Sequence, residues 1–201
     1  MIRADLHIHT KYSPDSSINP KTLVDQLFTH ASVKAVAVTD HDTVEGYGKV
    51  RELAKPFNDI LIIPGAEITT PEGDLLVLGL AELPPQPWNV RDVIDFARRN
   101  GGVVVVAHPY REYGLGSLAK NYDVDAVEVL NAATPSNLNR LAENLAREMR
   151  RPGVAGTDAH NVDELWTVCT EIQASLDVDE VLRSMKKGLV KACSCSRSIH
   201  F

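Results

Sequence analysis

The chain has 201 residues, 44% of them hydrophobic and 24% charged, the balance of a globular protein long enough to bury a core. Its 27 acidic residues outnumber the 21 basic ones, for a formal charge of -6, which excludes a broad binder of phosphate backbones and leaves nucleic acid only as a substrate. No apolar run approaches the ~18 residues of a membrane span, and three cysteines make no secreted-type framework, so the expected compartment is the cytoplasm.

From the N-terminus, a strand over residues 4–7 leads into a helix over 20–31, with Asn19 as its N-cap and Pro20 at its first position. A strand over 35–39, a helix over 44–54 and a strand over 60–63 follow, with residues 75–80 as an extra hairpin or edge element. Asn89 caps a helix over 90–99, which Gly101 and Gly102 stop before the run 103–107. The unbroken apolar character of Val103 to Val106 suits a parallel strand covered on both faces. A strand over 126–130, a helix over 137–150 capped by Ser136, strands over 154–156 and 168–172, and a helix over 178–187 capped by Asp177 complete the series. Cys193 and Cys195 lack the spacing of a zinc ligand pair and read as tail residues, while His30 and His200 read as surface histidines. With no linker composition, residues 1–201 are expected to form one domain.

Alternating strands and helices imply a parallel sheet with helices outside, either closed into a barrel or open and doubly wound. Five clusters of metal-capable residues choose between them: Asp5-Leu6-His7-Ile8-His9, Thr39-Asp40-His41-Asp42, Gly65-Ala66-Glu67, His108-Pro109 and Gly156-Thr157-Asp158-Ala159-His160. Each follows a β-branched run and so is placed where a strand ends, the position at which α/β enzymes put their chemistry. A closed ring converges five such ends on one point more readily than an open sheet. His7 and His9 are two apart, so on a strand both project from one face and can close on one ion, with Ile8 turned into the apolar layer.

In that order, HxH, TDHD, GAE, HP and GTDAH, the motifs resemble the PHP family, named for polymerase and histidinol phosphatase, over nearly the whole chain from Asp5 to about Cys193. The resemblance implies a distorted (β/α)7 barrel and a metal-dependent phosphoesterase with two or three divalent ions, Zn, Mn or Fe, per chain. It implies that His7, His9, Glu67 and Asp158 bind one metal, that Glu67 bridges to a second held also by His108, and that Asp15, His41 and His160 hold a third. Asp15 lies in Tyr12-Ser13-Pro14-Asp15-Ser16, where the family often reads Tyr-Ser-Asp-Gly, so Pro14 shifts the carboxylate by one position. For the middle ion the family commonly supplies a histidine before a Val-Leu-Gly triplet. Leu76 is read at that position, which leaves Glu67 and His108 with water, substrate or a group such as Asn131 to complete a weak site.

The chemistry implied is attack on a small phosphorylated substrate by hydroxide, available near neutrality because metal lowers the pKa of bound water towards ~7. Asp158 and Glu67 sit at the ions, and Arg111 is the candidate phosphate clamp because its planar fork matches phosphate oxygens. Asn131 and Lys11 are further candidates for substrate contact, and Asp40 and Asp42 for orienting a ligand imidazole. The substrate expected is a small molecule of the nucleotide or histidinol-phosphate type. The alternatives are a nuclease or proofreading-type phosphodiesterase and a non-catalytic, metal-stabilised interaction module. An amidohydrolase barrel also opens with HxH, but it needs a bridging carboxylated lysine at a later strand end, and none is evident in the sequence.

Overall fold

The computed structural model describes residues 1–195, so His200 lies outside the described residues. The strands are β1 (Ile2–Ile8), β2 (Ala35–Val38), β3 (Leu61–Thr70), β4 (Gly73–Leu78), β5 (Val103–Val106), β6 (Ala126–Asn131), β7 (Gly153–Gly156), β8 (Val168–Ile172) and β9 (Val190–Ser194). The helices are α1 (Pro20–Thr29), α2 (Glu45–Ala54), α3 (Val90–Arg99), α4 (Ser136–Met149) and α5 (Val178–Lys186). Asn19, Asn89 and Asp177 cap α1, α3 and α5 as their sequences require, each side chain accepting a backbone N–H of the first turn. Ser136 does not cap α4. It is the first helical residue, and Pro135 before it makes no side-chain cap.

The strand order is β7-β6-β5-β4-β3-β2-β1-β8-β9, and the two ends of the run β1 to β7 meet. Ring closure uses little regular ladder. The segment leaving β7 bonds to β1 through Asp158 N to His7 O (2.7 Å) and His9 N to Ala159 O (3.1 Å). Two side chains fill the rest of the seam. Asp5 accepts Thr157 N and Thr157 Oγ1, and Thr170 of β8 exchanges hydrogen bonds with the backbone of Ala155. The distorted barrel is therefore shut on one side by buried polar side chains standing in for missing backbone partners.

Two features differ from the sequence reading. The segment read as a hairpin or edge element is β4, which lies inside the ring between β3 and β5 and is antiparallel to both. In turn β8, counted among the barrel strands, runs antiparallel along the first residues of β1, outside the ring, with β9 beyond it. The physical reason is that β3 does not stop before its motif. Residues 61–64 pair with β2, then residues 65–70 change partner to β4, so Glu67 sits within a strand.

Apolar side chains form layers on both sides of this wall. Ala4, Leu6, Ala37, Leu76, Leu78, Val103 and Val105 fill the interior, closed by Val181, Leu182 and Met185 of α5. Val104 and Val106 face outward in one cluster with residues of α3 and α4, so β5 is covered on both faces as its sequence implies, but it is parallel only to β6 and antiparallel to β4. In β1 the register shifts between Asp5 and Ile8. Leu6 consequently belongs to the interior while Ile8 packs outward under α1 and α2, and the shift aims His7 and His9 at the open end of the barrel.

Candidate metal centre

His7 and His9 reach one point with their Nε2 atoms, 3.1 Å apart. His7 Nε2 lies 3.1 Å from Glu67 Oε2 and 3.4 Å from Asp158 Oδ1. His9 Nε2 is 3.2 Å from each of the same two oxygens. The far side of each ring is held by a buried acceptor. Nδ1–H of His7 donates to Glu128 Oε1 (3.0 Å), and Nδ1–H of His9 donates to Ser13 Oγ (3.0 Å), whose own hydroxyl donates to Asp40 Oδ1 (2.9 Å). Each hydrogen bond fixes the tautomer that leaves Nε2 as the ligand atom.

Three donor groups share this centre: His7, His9, Glu67 and Asp158; Glu67, Asp74 and His108; and His9, His41 and His160. Within each, the ligand atoms lie within 4.8 Å of one another. Glu67 joins the first two, because Oε2 faces His7 and His9 while Oε1 is 2.8 Å from His108 Nε2. On the outer side, Asp15 Oδ2 lies 3.5 Å from His41 Nε2 and 3.3 Å from His160 Nε2, so Pro14 does not displace that carboxylate from the cluster. Nδ1–H of His160 donates to Asp158 O (2.9 Å), which turns Nε2 towards Asp15.

The backbone is bent to make these meetings. His108 and Asp158 take positive φ angles of 22° and 55°, unusual for residues with a Cβ and of the kind found where a site over-determines the conformation. Gly156 permits the closest approach, since a Cβ there would stand 2.3 Å from His7 Cβ and 3.0 Å from Glu128 Oε1.

Electrostatics fit cations at the centre. Burial opposes charge on His9, yet Asp158 and Glu67 lift its pKa to about 9, and His7 is raised well above its ordinary value against the same burial by Asp158, Glu67 and Glu128. Glu67 and Asp158 are held far below the carboxylate range by His7 and His9, although burial acts the other way. Burial, reinforced by Glu67, pushes Asp74 up to about 6. Asp74 Oδ1 and His108 Nδ1 are buried with no hydrogen-bond partner among the described residues, and Asp74 Oδ2 lies 4.0 Å from His108 Nε2. Mixed imidazole and carboxylate donors, converging and partly unsatisfied, are the donor set of a divalent-metal site.

Arg111 stands at the rim, Nη1 donating to Asp158 Oδ2 (2.7 Å). Asn131 is fully buried beside it and donates to Glu128 Oε2 and Asp158 Oδ2, both at 3.1 Å. Lys11 is exposed. A cleft of about 490 Å³ opens over Asp15, His41, Asp74, His108, Arg111 and Asp158. A second, of about 510 Å³, lies on the other side of Asp158 and His160 against Ala132, Ala133 and Asp163.

The sequence profile of the PHP domain matches residues 5–147, and that of a PHP-associated segment matches residues 137–190. The chain belongs to the PHP family. Two relatives, the uncharacterized proteins MJ1587 and MJ0417 of Methanocaldococcus jannaschii, are similar to it. MJ1587 is 34% identical over 143 residues, covering 65% of this chain and 82% of its own length. MJ0417 is 29% identical over 175 residues, 82% of this chain and 68% of its own length. Solved structures share the PHP fold at low identity. An amidohydrolase from Chromobacterium violaceum with bound sulfate superposes with a TM-score of 0.69 at 14% identity, over 98% of this chain and 99% of that one. PsfC from Pseudomonas syringae gives 0.70 at 18%, over 98% and 94%. A proposed metal-dependent phosphoesterase from Bifidobacterium adolescentis gives 0.62 at 17%, over 78% and 87%.

The PHP barrel thus brings together all the site residues read from the motifs, His7, His9, Asp15, His41, Glu67, His108, Arg111, Asp158 and His160. Asp40 orients a ligand imidazole, that of His9 through Ser13, as read, and three placements differ from expectation. Asp42 Oδ1 accepts Thr69 N instead of a ring N–H. Asn131 contacts Asp158 rather than the pair Glu67 and His108. Leu76 points into the apolar interior, while Asp74, two residues earlier on β4, joins Glu67 and His108. Glu128 and Asp74 went unread in the sequence, and Asp5 was read only as part of the first cluster, with no role of its own. The available signal for Glu128 was a lone carboxylate inside the apolar strand Ala126-Val127-Glu128-Val129-Leu130.

Proposed function

We propose that the protein is a metal-dependent phosphoesterase acting on small phosphorylated molecules, a phosphomonoesterase of the nucleotide or histidinol-phosphate type. The observation that carries this reading is the bridging position of Glu67 between donor groups on the floor of a cleft whose rim presents Arg111. In this reading His7, His9, Glu67 and Asp158 hold one ion, Glu67, Asp74 and His108 a second, and Asp15, His41 and His160 a third. The ions, Zn, Mn or Fe, supply Lewis acidity that neutralises phosphate charge and lowers the pKa of water.

The remaining work falls to the chain's own groups. Glu128, Ser13 and Asp40 hold the HxH rings in one tautomer. Arg111, released from Asp158 by the incoming anion, forks onto two phosphate oxygens, and Asn131 keeps Asp158 in place. Clefts of about 490 and 510 Å³ on either side of Asp158 suit a small substrate with its leaving group rather than a polymer. A cytoplasmic setting fits three free thiols, and no helix among the described residues is long and apolar enough to cross a membrane.

Turnover of p-nitrophenyl phosphate and of bis-p-nitrophenyl phosphate, with chelator and with added Mn or Zn, tests the proposal. Metal-restored monoester hydrolysis that Asp158→Ala abolishes is the expected result. Preference for the bis-ester would favour a phosphodiesterase, and bound metal without turnover of either ester would favour the interaction module.

A further inference from the structure

All three cysteines of the chain meet at β8 and the end of β9, and none belongs to a donor group of the metal centre. Cys169 and Cys193 face each other across the antiparallel ladder, their sulfurs 3.2 Å apart. Cys195, one residue beyond β9, brings its sulfur to 2.6 Å from that of Cys169. Cys169 is fully buried, Cys195 is buried, and Cys193 is partly exposed. One thiol in contact with two others, only one of them open to solvent, is an arrangement that the hydrolytic chemistry does not use.

Distance separates the two kinds of chemistry open to such a group. Thiolates bound tetrahedrally to one zinc at ~2.3 Å stand roughly 3.8 Å apart, farther than either sulfur pair here. A disulfide closes at ~2.05 Å, about an ångström less than the Cys169–Cys193 separation. Directly opposed residues of an antiparallel pair hold their Cα atoms ~4.5–5.5 Å apart, inside the ~4.4–6.8 Å range of a disulfide. The backbone therefore needs no rearrangement to join Cys169 to its cross-strand partner.

We propose that this cluster is an oxidation site for peroxide, in which Cys193 is the entry thiol, Cys169 the resolving thiol and Cys195 the final partner. The Cys193 thiolate attacks the peroxide, the O–O bond breaks, one oxygen leaves as water and the other remains as the sulfenic acid. Cys169 then attacks the Cys193 sulfur, its proton joins the departing hydroxyl as a second water, and the Cys169–Cys193 disulfide forms. Cys195 next attacks the Cys169 sulfur. The bond to Cys193 breaks, the Cys195 proton passes to Cys193, and a buried Cys169–Cys195 disulfide remains. One peroxide is reduced to two waters as two thiols are oxidised. The product ties the chain leaving β9 to β8, the strand that pairs with β1 beneath the HxH pair.

The test treats the full-length protein with about one equivalent of hydrogen peroxide, blocks the remaining thiols by alkylation, and maps the linkages by mass spectrometry without reduction. The expected product has lost two hydrogens, carries the Cys169–Cys195 linkage and retains one alkylatable thiol, Cys193. Cys195→Ser is expected to stop at Cys169–Cys193, and Cys193→Ser to form the same final linkage at least tenfold more slowly. Both substitutions leave the fully buried Cys169 in place, and a thermal melt of each variant before oxidation verifies its folding, Cys195 being buried as well. Three thiols persisting in the wild type, sulfinic acid on Cys193 without a cross-link, or linkages only between chains would overturn the proposal. Stoichiometric zinc lost on Cys193→Ser while the histidine centre stays loaded would overturn it in favour of a thiolate metal site.

Discussion

Glu128 of β6 grips His7 of β1 by the ring: Oε1 accepts Nδ1–H at 3.0 Å, while Oε2 accepts the backbone N–H of His108 at 2.8 Å. One carboxylate, 1% exposed, thus orients a ligand from each of two donor groups. Glu128→Gln leaves an NH2 facing either the His7 ring or the His108 N–H, so one of these bonds is lost. Metal affinity is expected to fall roughly 10–100-fold, the usual effect of losing such a support. Competition titration with a chromophoric chelator reads this directly, and unchanged affinity in the folded variant would remove Glu128 from the site.

Asp74 stands as a third donor beside Glu67 and His108, where the sequence reading offers water, substrate or a group such as Asn131. Asp74→Ala is expected to release one ion per chain after exhaustive dialysis. Asp74→His should keep the ion but raise the zinc-to-manganese ratio there, because imidazole suits zinc and carboxylate suits manganese. Elemental analysis checks both. Leu76→His is not a repair. Leu76 is 0% exposed inside the barrel, and a polar ring there costs on the order of 1–3 kcal/mol of stability; a raised metal content in that variant would contradict this assignment.

The centre's charge predicts opposite pH trends with and without metal. His9 has a folded-state pKa of about 9 against an ordinary 6.5, so its contribution to the stability of the stripped protein is full below about 6.5 and lost as pH rises through about 9. His7 acts in the same direction, being raised well above its ordinary value. Asp74, raised to about 6, acts in the same direction at lower pH, its cost to the folded state growing from the ordinary carboxylate range up to about 6 and levelling off above it. Metal replaces these protons, so its affinity rises over the same range. Melting curves of chelated and Mn-loaded protein at pH 6 and pH 9 are expected to show a gap that widens with pH, and a gap that narrows would show that protons and metal do not compete.

Among the described residues Arg111 is the one guanidinium paired with Asp158, and its side chain is 31% exposed at the mouth of the cleft. A hydrogen bond to a charged group is worth about 1.5–3 kcal/mol, so Arg111→Ala should lower kcat/KM roughly 10–100-fold and weaken inhibition by inorganic phosphate by a similar factor. Arg111→Lys should recover little of it, because an ammonium cannot fork onto two oxygens. Wild-type phosphate inhibition in Arg111→Ala would show that the arginine serves only to pair Asp158.

Gly156 has no room for a side chain. In Gly156→Ala the new Cβ would fall 2.3 Å from His7 Cβ and 2.8 Å from His7 N. Relieving that overlap is expected to cost about 1–3 kcal/mol, with loss of the ion held by His7, and denaturant melts paired with metal analysis measure both.

What the sequence determined by itself is local. Asn19-Pro20, Asn89 and Asp177 announce helix starts because a cap needs only its own next few residues, and α3 falls on residues 90–99 as read. The apolar run of β5 and the spacing of His7 and His9 are likewise legible, since strand parity is written in consecutive positions. Beyond the donor sets that the motif order implies, tertiary structure decided the rest. Glu67 lies inside β3 because β4 supplies its second partner, and Asp74 rather than Leu76 reaches His108 because that pairing sets where β4 stands. Asp5 shows the same limit. In sequence it is one more acid beside a histidine, and only closure of the ring turns it into the acceptor that binds Thr157 and shuts the seam. Cys169 and Cys193 are 24 residues apart and become neighbours only through the register of β8 and β9. Register and closure depend on packing among strands distant in the chain, and no window of contiguous residues contains that information.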